Sequence, residues 1–201
     1  MNSYSQSSQD LFVLKCLNNL QNGYFCELGA NQPIVINNTY ALESQYGWQG
    51  VSIEKDKGFE EDFNKVRKSK LICADALEVN YIEVFSEFFI RMEKPNNKRF
   101  HYLSLDLEPA SITLECLKCI PLDKYRFSVI TYEHDLYNYG TKFRDESREI
   151  FSSYGYKMIH GDVKSNNMKD YPYEDWWVDP TCDKIVEYSS WGSDFSACRA
   201  L

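Results

Sequence analysis

The chain has 201 residues, of which 43% are hydrophobic, 15% aromatic and 26% charged, a balance that favours one globular domain and excludes collagen-like, low-complexity and wholly disordered classes. With 22 Lys plus Arg against 30 Asp plus Glu the formal charge is −8, so nucleic acid is a poor partner and small substrates or proteins are better ones. No stretch approaches the roughly 20 apolar residues of a membrane span, Met1 to Asp10 carries no secretory pattern, and the seven cysteines are odd in number and scattered, which predicts a soluble, cytoplasmic protein with reduced thiols and no membrane partner.

Along the chain, helical and strand patterns alternate. A leading helix spans about residues 7–21, capped by Ser7 or Ser8 and stopped by Asn22-Gly23. Tyr24 to Gly29 reads as a short buried strand ending in a glycine turn. A helix from about Asn38 to Tyr46, stopped by Gly47, precedes a second strand from Trp48 to Glu54. Asp56 to Lys68 is a charged helix with Phe59, Phe63 and Val66 on one face, and Lys70 to Cys73 is a third strand. Tyr81 to Met92 is helical, Phe100 to Asp106 a fourth strand, and Pro109 opens a helix through Ile120. Tyr125 to Glu133 is a fifth strand, Phe143 to Tyr154 a helix capped by Gly155, and Tyr156 to His160 and Glu174 to Val178 are the last strands.

This alternation predicts an α/β, Rossmann-like domain over residues 1–180, with a mostly parallel sheet and helices on both faces. Residues 181–201 form an aromatic-bearing extension expected to pack on it. Such a sheet binds ligands at the carboxyl ends of its strands. Glu27, Glu54, Asp106, Glu108 and Glu133 all fall at predicted strand ends and should converge on that edge.

Two constellations carry chemistry. In the first, Glu27-Leu28-Gly29-Ala30-Asn31 is followed by Glu54 at the end of the second strand. In a nucleoside-binding fold the glycine lets the backbone approach the ligand and the later acid accepts hydrogen bonds from ribose hydroxyls. The plain alternative is a tight turn beside a solvated glutamate. The chain lacks Gly-x-Gly-x-x-Gly, which argues against a dinucleotide enzyme. In the second, Asp106, Glu108, Glu133 and His134 offer a general base for a hydroxyl nucleophile, or carboxylates for Mg²⁺ or Mn²⁺. These acids could instead cap helices or pair with Arg and Lys, and His134 could simply pack.

Several blocks, in order, closely resemble the FkbM family of S-adenosylmethionine-dependent methyltransferases. They are Ser5-Gln6 and Ser8-Gln9-Asp10-Leu11-Phe12-Val13-Leu14, Gly23 to Asn31, Asn38 to Glu43, Tyr46 to Glu54, Leu103 to Glu108, Val129 to His134, Gly155-Tyr156 and Glu174 to Val178. The resemblance implies a class I methyltransferase fold with a seven-stranded sheet and S-adenosylmethionine as cofactor. It assigns Glu27, Gly29, Ala30 and Asn31 to the loop beside the methionine part, Glu54 to the ribose, and Asp75 and Ala76 to the turn flanking adenine. Asp106, Glu108, Glu133 and His134 fall where the reactive methyl and acceptor would meet, with Asp106, Glu108 and Glu133 as the alternative metal ligands. The implied acceptor is a hydroxyl on a sugar, glycan or other small molecule, and no nucleic acid is expected.

Two departures support a rival reading, a catalytically inactive methyltransferase-like binding protein. Asn31-Gln32-Pro33 stands where the family has Asn-Asp-Gly, and Asp106-Leu107-Glu108-Pro109-Ala110-Ser111 where it has Asp-x-Glu-Gly-x-Glu. Proline removes an N–H and fixes φ near −65°, closing off the conformations glycine reaches. Lesser signals are Cys116 and Cys119 at CxxC spacing within a helix, read as structural, and His101 and His160, read as packed or solvated. Gln9 and Asp10 could reach the cofactor, cover the site or cap the first helix, and Trp176 and Trp177 could wall an acceptor pocket or join the core.

Overall fold

The computed structural model describes residues 3–165 and 168–186. Sixteen elements, two of them short 3-10 turns, run in chain order. They begin with α1 (Gln9–Cys16), β1 (Tyr24–Leu28), α2 (Tyr40–Tyr46), β2 (Gln49–Glu54), a 3-10 turn (Lys57–Phe59), α3 (Glu60–Val66) and β3 (Lys70–Cys73). A second 3-10 turn (Ala76–Glu78), α4 (Tyr81–Arg91), β4 (Arg99–Leu105), α5 (Ala110–Cys119) and β5 (Arg126–Glu133) follow. The chain then forms α6 (Leu136–Tyr139), α7 (Thr141–Ser153), β6 (Lys157–Ser165) and β7 (Met168–Val178).

One seven-stranded sheet has the order β3-β2-β1-β4-β5-β7-β6. The first five strands in that order pair in parallel, and β7 enters antiparallel between β5 and β6. The sequence order therefore reverses at β1, and the strands on either side of that switch carry their crossover helices to opposite faces, leaving a crevice at the carboxyl edge. On β1, Phe25 joins Phe12, Leu42 and Trp48 under α1 and α2, while Cys26 and Leu28 face the opposite cluster of Phe85, Phe88, Phe100, Leu114 and Phe127 under α4 and α5. That alternation is the period-2 pattern of a strand covered on both sides.

Several boundaries differ from the sequence reading. The leading helix covers Gln9–Cys16 instead of residues 7–21, because Ser8 sits at φ 68° before it and Asn18, Asn19 and Asn22 adopt positive φ after it. The charged helix is broken into the turn at Lys57–Phe59 and α3; Phe63 is buried but Val66 is exposed. Pro109 precedes α5 in an extended conformation instead of forming its first turn. The two last strands are longer than read and form an antiparallel hairpin, whose register shifts admit Pro172 opposite Lys164. α6 had no apolar periodicity to reveal it. Beyond β7, Cys182 is buried and the Val186 N–H donates to the Cys16 carbonyl, so the start of the extension lies on α1; residues 187–201 of that predicted extension lie outside the described residues.

Candidate active site

A cavity of about 710 Å³ opens at the carboxyl ends of the parallel strands. Its wall includes Gly29 and Asn31 after β1, Glu54 to Asp56 after β2, Ala74 to Ala76 after β3, Asp106 to Glu108 after β4, and Glu133 and Tyr137 at β5 and α6. Of the residues singled out in the sequence, Gly29, Asn31, Glu54, Asp75, Ala76, Asp106, Glu108 and Glu133 thus share one wall. Glu27, Ala30 and His134 are not among its lining residues.

The floor between β1 and β4 requires a glycine. Gly29 has φ +81°, and its N–H and that of Ala30 both donate to the Ile53 carbonyl. The Asp106 N–H donates to the Leu28 carbonyl, which draws the two strand ends together. Beside them, Glu54 accepts from the Asn31 N–H at 2.8 Å through Oε2 and from the Asp56 N–H at 2.8 Å through Oε1. Each oxygen keeps a lone pair for a ligand donor. Asp75 is held likewise, its Oδ1 accepting from the Leu77 N–H and its Oδ2 2.6 Å from Lys55 Nζ; the lysine holds its carboxyl below the usual range.

Glu27 lies beneath this floor. It is 2% exposed and accepts from Thr39 Oγ1 and Ser52 Oγ, and burial raises its pKa against the pull of Arg67. Arg67, which no sequence pattern marked, is the centre of that network. It donates to the Pro33 carbonyl, Asn37 Oδ1 and Thr39 Oγ1, lies 3.2 Å from Glu43 and stacks 4.8 Å over Phe63. Asn37 also donates to the Ala30 carbonyl, so the segment after β1 is fastened from below. Pro33 and Pro109 both stand outside the cavity lining.

At the β4–β5 end the wall is acidic. Glu133 is 8% exposed, and burial first, then Asp106, Asp135 and Glu174, pushes its carboxyl well above the usual range. Glu174 pairs directly opposite Glu133 across β5 and β7 and is fully buried, with its pKa raised to about 8 mainly by desolvation. Gln9 Nε2 and Trp176 Nε1 donate to it. Gln9 therefore neither caps α1 nor lines the cavity; it holds Glu174. Asp10 accepts from Ser3, Ser5 and the Tyr4 N–H and ties down the chain that carries Gln6 to the cavity mouth.

His134 turns away from the cavity. It is buried, accepts from the Leu136 N–H through Nδ1, and places Nε2 3.3 Å from Asp175. Among the described residues His134, Asp162 and Asp175 have metal-ligand spacing. Arg148 already bonds both of those carboxylates, which makes the group an ion-pair network and a poor cation site. Asp106, Glu108 and Glu133 do not come together as a ligand set of that kind, so the expected Mg²⁺ or Mn²⁺ site finds no support. Trp176 and Trp177 are core residues, packed on Phe12 and Phe151 respectively, not a pocket wall. His101 and His160 are packed, and Cys116 and Cys119 are free thiols on α5. No helix among the described residues is long and apolar enough to cross a membrane.

No protein-family model matches the chain, and no curated protein matches its sequence. Among solved structures it is similar to the O-methyltransferase from Bacillus cereus in complex with S-adenosylhomocysteine, at 12% identity and a TM-score of 0.54, covering 89% of this chain and 84% of that one. It is similar to the O-methyltransferase TomG from Streptomyces achromogenes in complex with S-adenosylmethionine, at 13% identity and a TM-score of 0.53, covering 88% and 81%. It is also similar to a Clostridium thermocellum protein assigned as an rRNA methylase, at 12% identity and a TM-score of 0.54, covering 89% and 97%. With its strand order and antiparallel seventh strand, the chain has the Rossmann-like methyltransferase fold.

Proposed function

We propose that this protein is an S-adenosylmethionine-dependent methyltransferase that methylates a hydroxyl oxygen on a sugar, glycan or other small molecule. The observation that carries the reading is the cavity at the carboxyl edge, walled by a glycine turn after β1 and by the doubly anchored Glu54 after β2. The residues fit the cofactor. Gly29 allows the tight turn that packs the β1 end against the Asp106 backbone at the cavity floor, where a Cβ would clash, Glu54 can accept from ribose hydroxyls, and the acidic β4–β5 wall suits a ligand whose methionine end carries a sulfonium and an ammonium.

When bound, the cofactor supplies an electrophilic methyl group. Glu54 orients the ribose while Asp75 and Ala76 flank the base. Buried Glu133 and half-buried Asp106 stand on one wall at the end where an acceptor would enter, and would orient it or take its hydroxyl proton. His134 supports the strand end from behind through Leu136 and Asp175. Much of the remaining rate would come from positioning. The FkbM resemblance favours an oxygen acceptor, and the acidic wall and the charge of −8 speak against a nucleic-acid substrate.

The rival reading, an inactive binding protein, rested on Pro33 and Pro109, and neither lines the cavity. Calorimetric titration with S-adenosylmethionine and S-adenosylhomocysteine tests the proposal. Micromolar binding, about −8 kcal/mol, that Glu54→Ala weakens about a hundredfold would support it. Absence of binding to either ligand, or an unchanged affinity in E54A, would overturn it.

A further inference from the structure

The segment between β1 and α2 is fastened at both ends and exposed at its tip. The Asn31 N–H donates to Glu54, and Asn37 Nδ2 donates to the Ala30 and Gln32 carbonyls at 3.0 and 3.1 Å, which closes residues 30–37 into a loop. Arg67 holds the Pro33 carbonyl and Asn37 Oδ1. From the other side the Tyr4 carbonyl accepts from the Asn37 N–H, and the Tyr4 ring stands edge-on to Tyr40 at 4.8 Å. Asn37 is buried by these contacts, whereas Val35 and Ile36 are 58% and 61% exposed.

Ile36 is the anomaly at that tip. Its φ of 53° lies in the left-handed region, where a β-branched side chain crowds its own backbone. Most of the other described non-glycine residues with positive φ are Asn or Asp, which tolerate it. The same loop therefore bears a strained backbone and two apolar side chains in water, and neither side chain joins a core cluster that would offset the cost. Ile36 also lines the cavity, together with Gln6, Asn31 and Glu54. Strain of this kind gathers at ligand clamps and switch segments, where a second conformation relieves it.

Building on the methyltransferase reading above, we propose that residues 34–36 are a cap that closes over the S-adenosyl cofactor, with Ile36 as the side chain laid on the ligand. Pro33 and Asn37, both held by Arg67, are the fixed points about which the tip turns. Closure lets Ile36 leave the left-handed region and takes its side chain and that of Val35 out of water. The cofactor is the covered ligand because the same loop begins at Asn31, whose N–H sits on Glu54, the acid assigned to the ribose. An apolar cover there excludes water from the sulfonium and slows escape of the ligand. Ile36 is a positioning residue and takes no part in bond making.

Hydrogen exchange on the full chain, with and without S-adenosylhomocysteine, reads closure in the wild type: the amides of residues 34–36 should slow about tenfold on binding. Rapid filtration of labelled S-adenosylmethionine gives the dissociation rate. Ile36→Gly and Ile36→Asn both suit the left-handed backbone but give no apolar cover, so each should raise that rate about tenfold while the association rate stays within about threefold. Ile36→Leu should keep the wild-type rate. The ligand-free melting temperature of I36N should equal or exceed that of wild type, whereas a fall would make Ile36 a packing residue and overturn the cap. Exchange at residues 34–36 that ignores the ligand, or a dissociation rate unchanged in both I36G and I36N, overturns it as well. Failure of the wild type to bind either cofactor form overturns the methyltransferase reading and the cap with it; binding without these changes overturns the cap alone.

Discussion

A Cβ built on Gly29 would lie 1.7 Å from the carbonyl oxygen of Asp106. The glycine after β1 and the acid after β4 are therefore fitted against each other, backbone to backbone, at the floor of the cavity. Neither residue can shift without opening the junction that the Asp106 N–H closes on the Leu28 carbonyl.

Gly29→Ala should consequently damage both folding and ligand binding. The side chain meets main-chain atoms, which cannot rotate away, and φ of +81° adds strain. A loss of at least about 2 kcal/mol in urea unfolding is expected, with cofactor affinity falling more than it does in a surface control. A wild-type melting curve and affinity in G29A would contradict this account.

Arg67→Met should be among the most destabilising single changes in the described structure. It takes one guanidinium away from Asn37, Thr39 and the Pro33 carbonyl at once and leaves buried Glu43 without its cation. Removing one partner of a buried pair costs about 3–5 kcal/mol. Because the network lies under the loop after β1, cofactor affinity should fall as well, measured by calorimetry on whatever fraction remains folded.

Glu174 links stability to alkaline pH. Its folded pKa is raised to about 8 from an ordinary 4.5, so the stability it contributes is fully present below about 4.5 and is lost as pH rises to about 8. Glu174→Gln keeps an acceptor for Gln9 and Trp176 but cannot ionise. Its urea midpoint relative to wild type should improve from pH 5 to pH 8 and then level off; parallel pH profiles would show that Glu174 titrates as an exposed carboxylate.

His101 works in the acid direction. Its Nδ1 accepts from the Tyr24 N–H, and burial, with Lys184 and Arg99, lowers its pKa from 6.5 to about 4. The unfolded chain binds the proton first, so stability present above about 6.5 falls as pH drops to about 4, by about 3 kcal/mol over the window. His101→Asn, which retains an acceptor, should flatten that limb. Asp175, held down to about 2 with Arg148 and His134 as its partners, contributes a separate loss only below the ordinary carboxylate range.

Much of the fold was written in local pattern. β3 at Lys70–Cys73 and β1 at Tyr24–Leu28 are short apolar runs bounded by turn residues, and α2 and α7 end at Gly47 and near Gly155, so their limits follow from residue chemistry alone. The strand-end acids were legible for the same reason: Glu54, Asp106 and Glu133 terminate apolar runs, and parallel strands bring their ends to one edge. Periodicity does not say which way a side chain at a strand end turns. Tertiary packing sent Glu133 into the cavity and His134, its neighbour in sequence, back toward Asp175, and it drew Glu27 down to Thr39 and Ser52. The partners of Glu174 come from Gln9 at the far end of the chain, and the anchor of the β1 loop from Arg67. The sequence by itself determined the alternation of elements and the set of acids available to the site. Only the tertiary structure decided which of those acids meet, because contacts between residues far apart in the chain depend on how the sheet and its two helical layers close over one another.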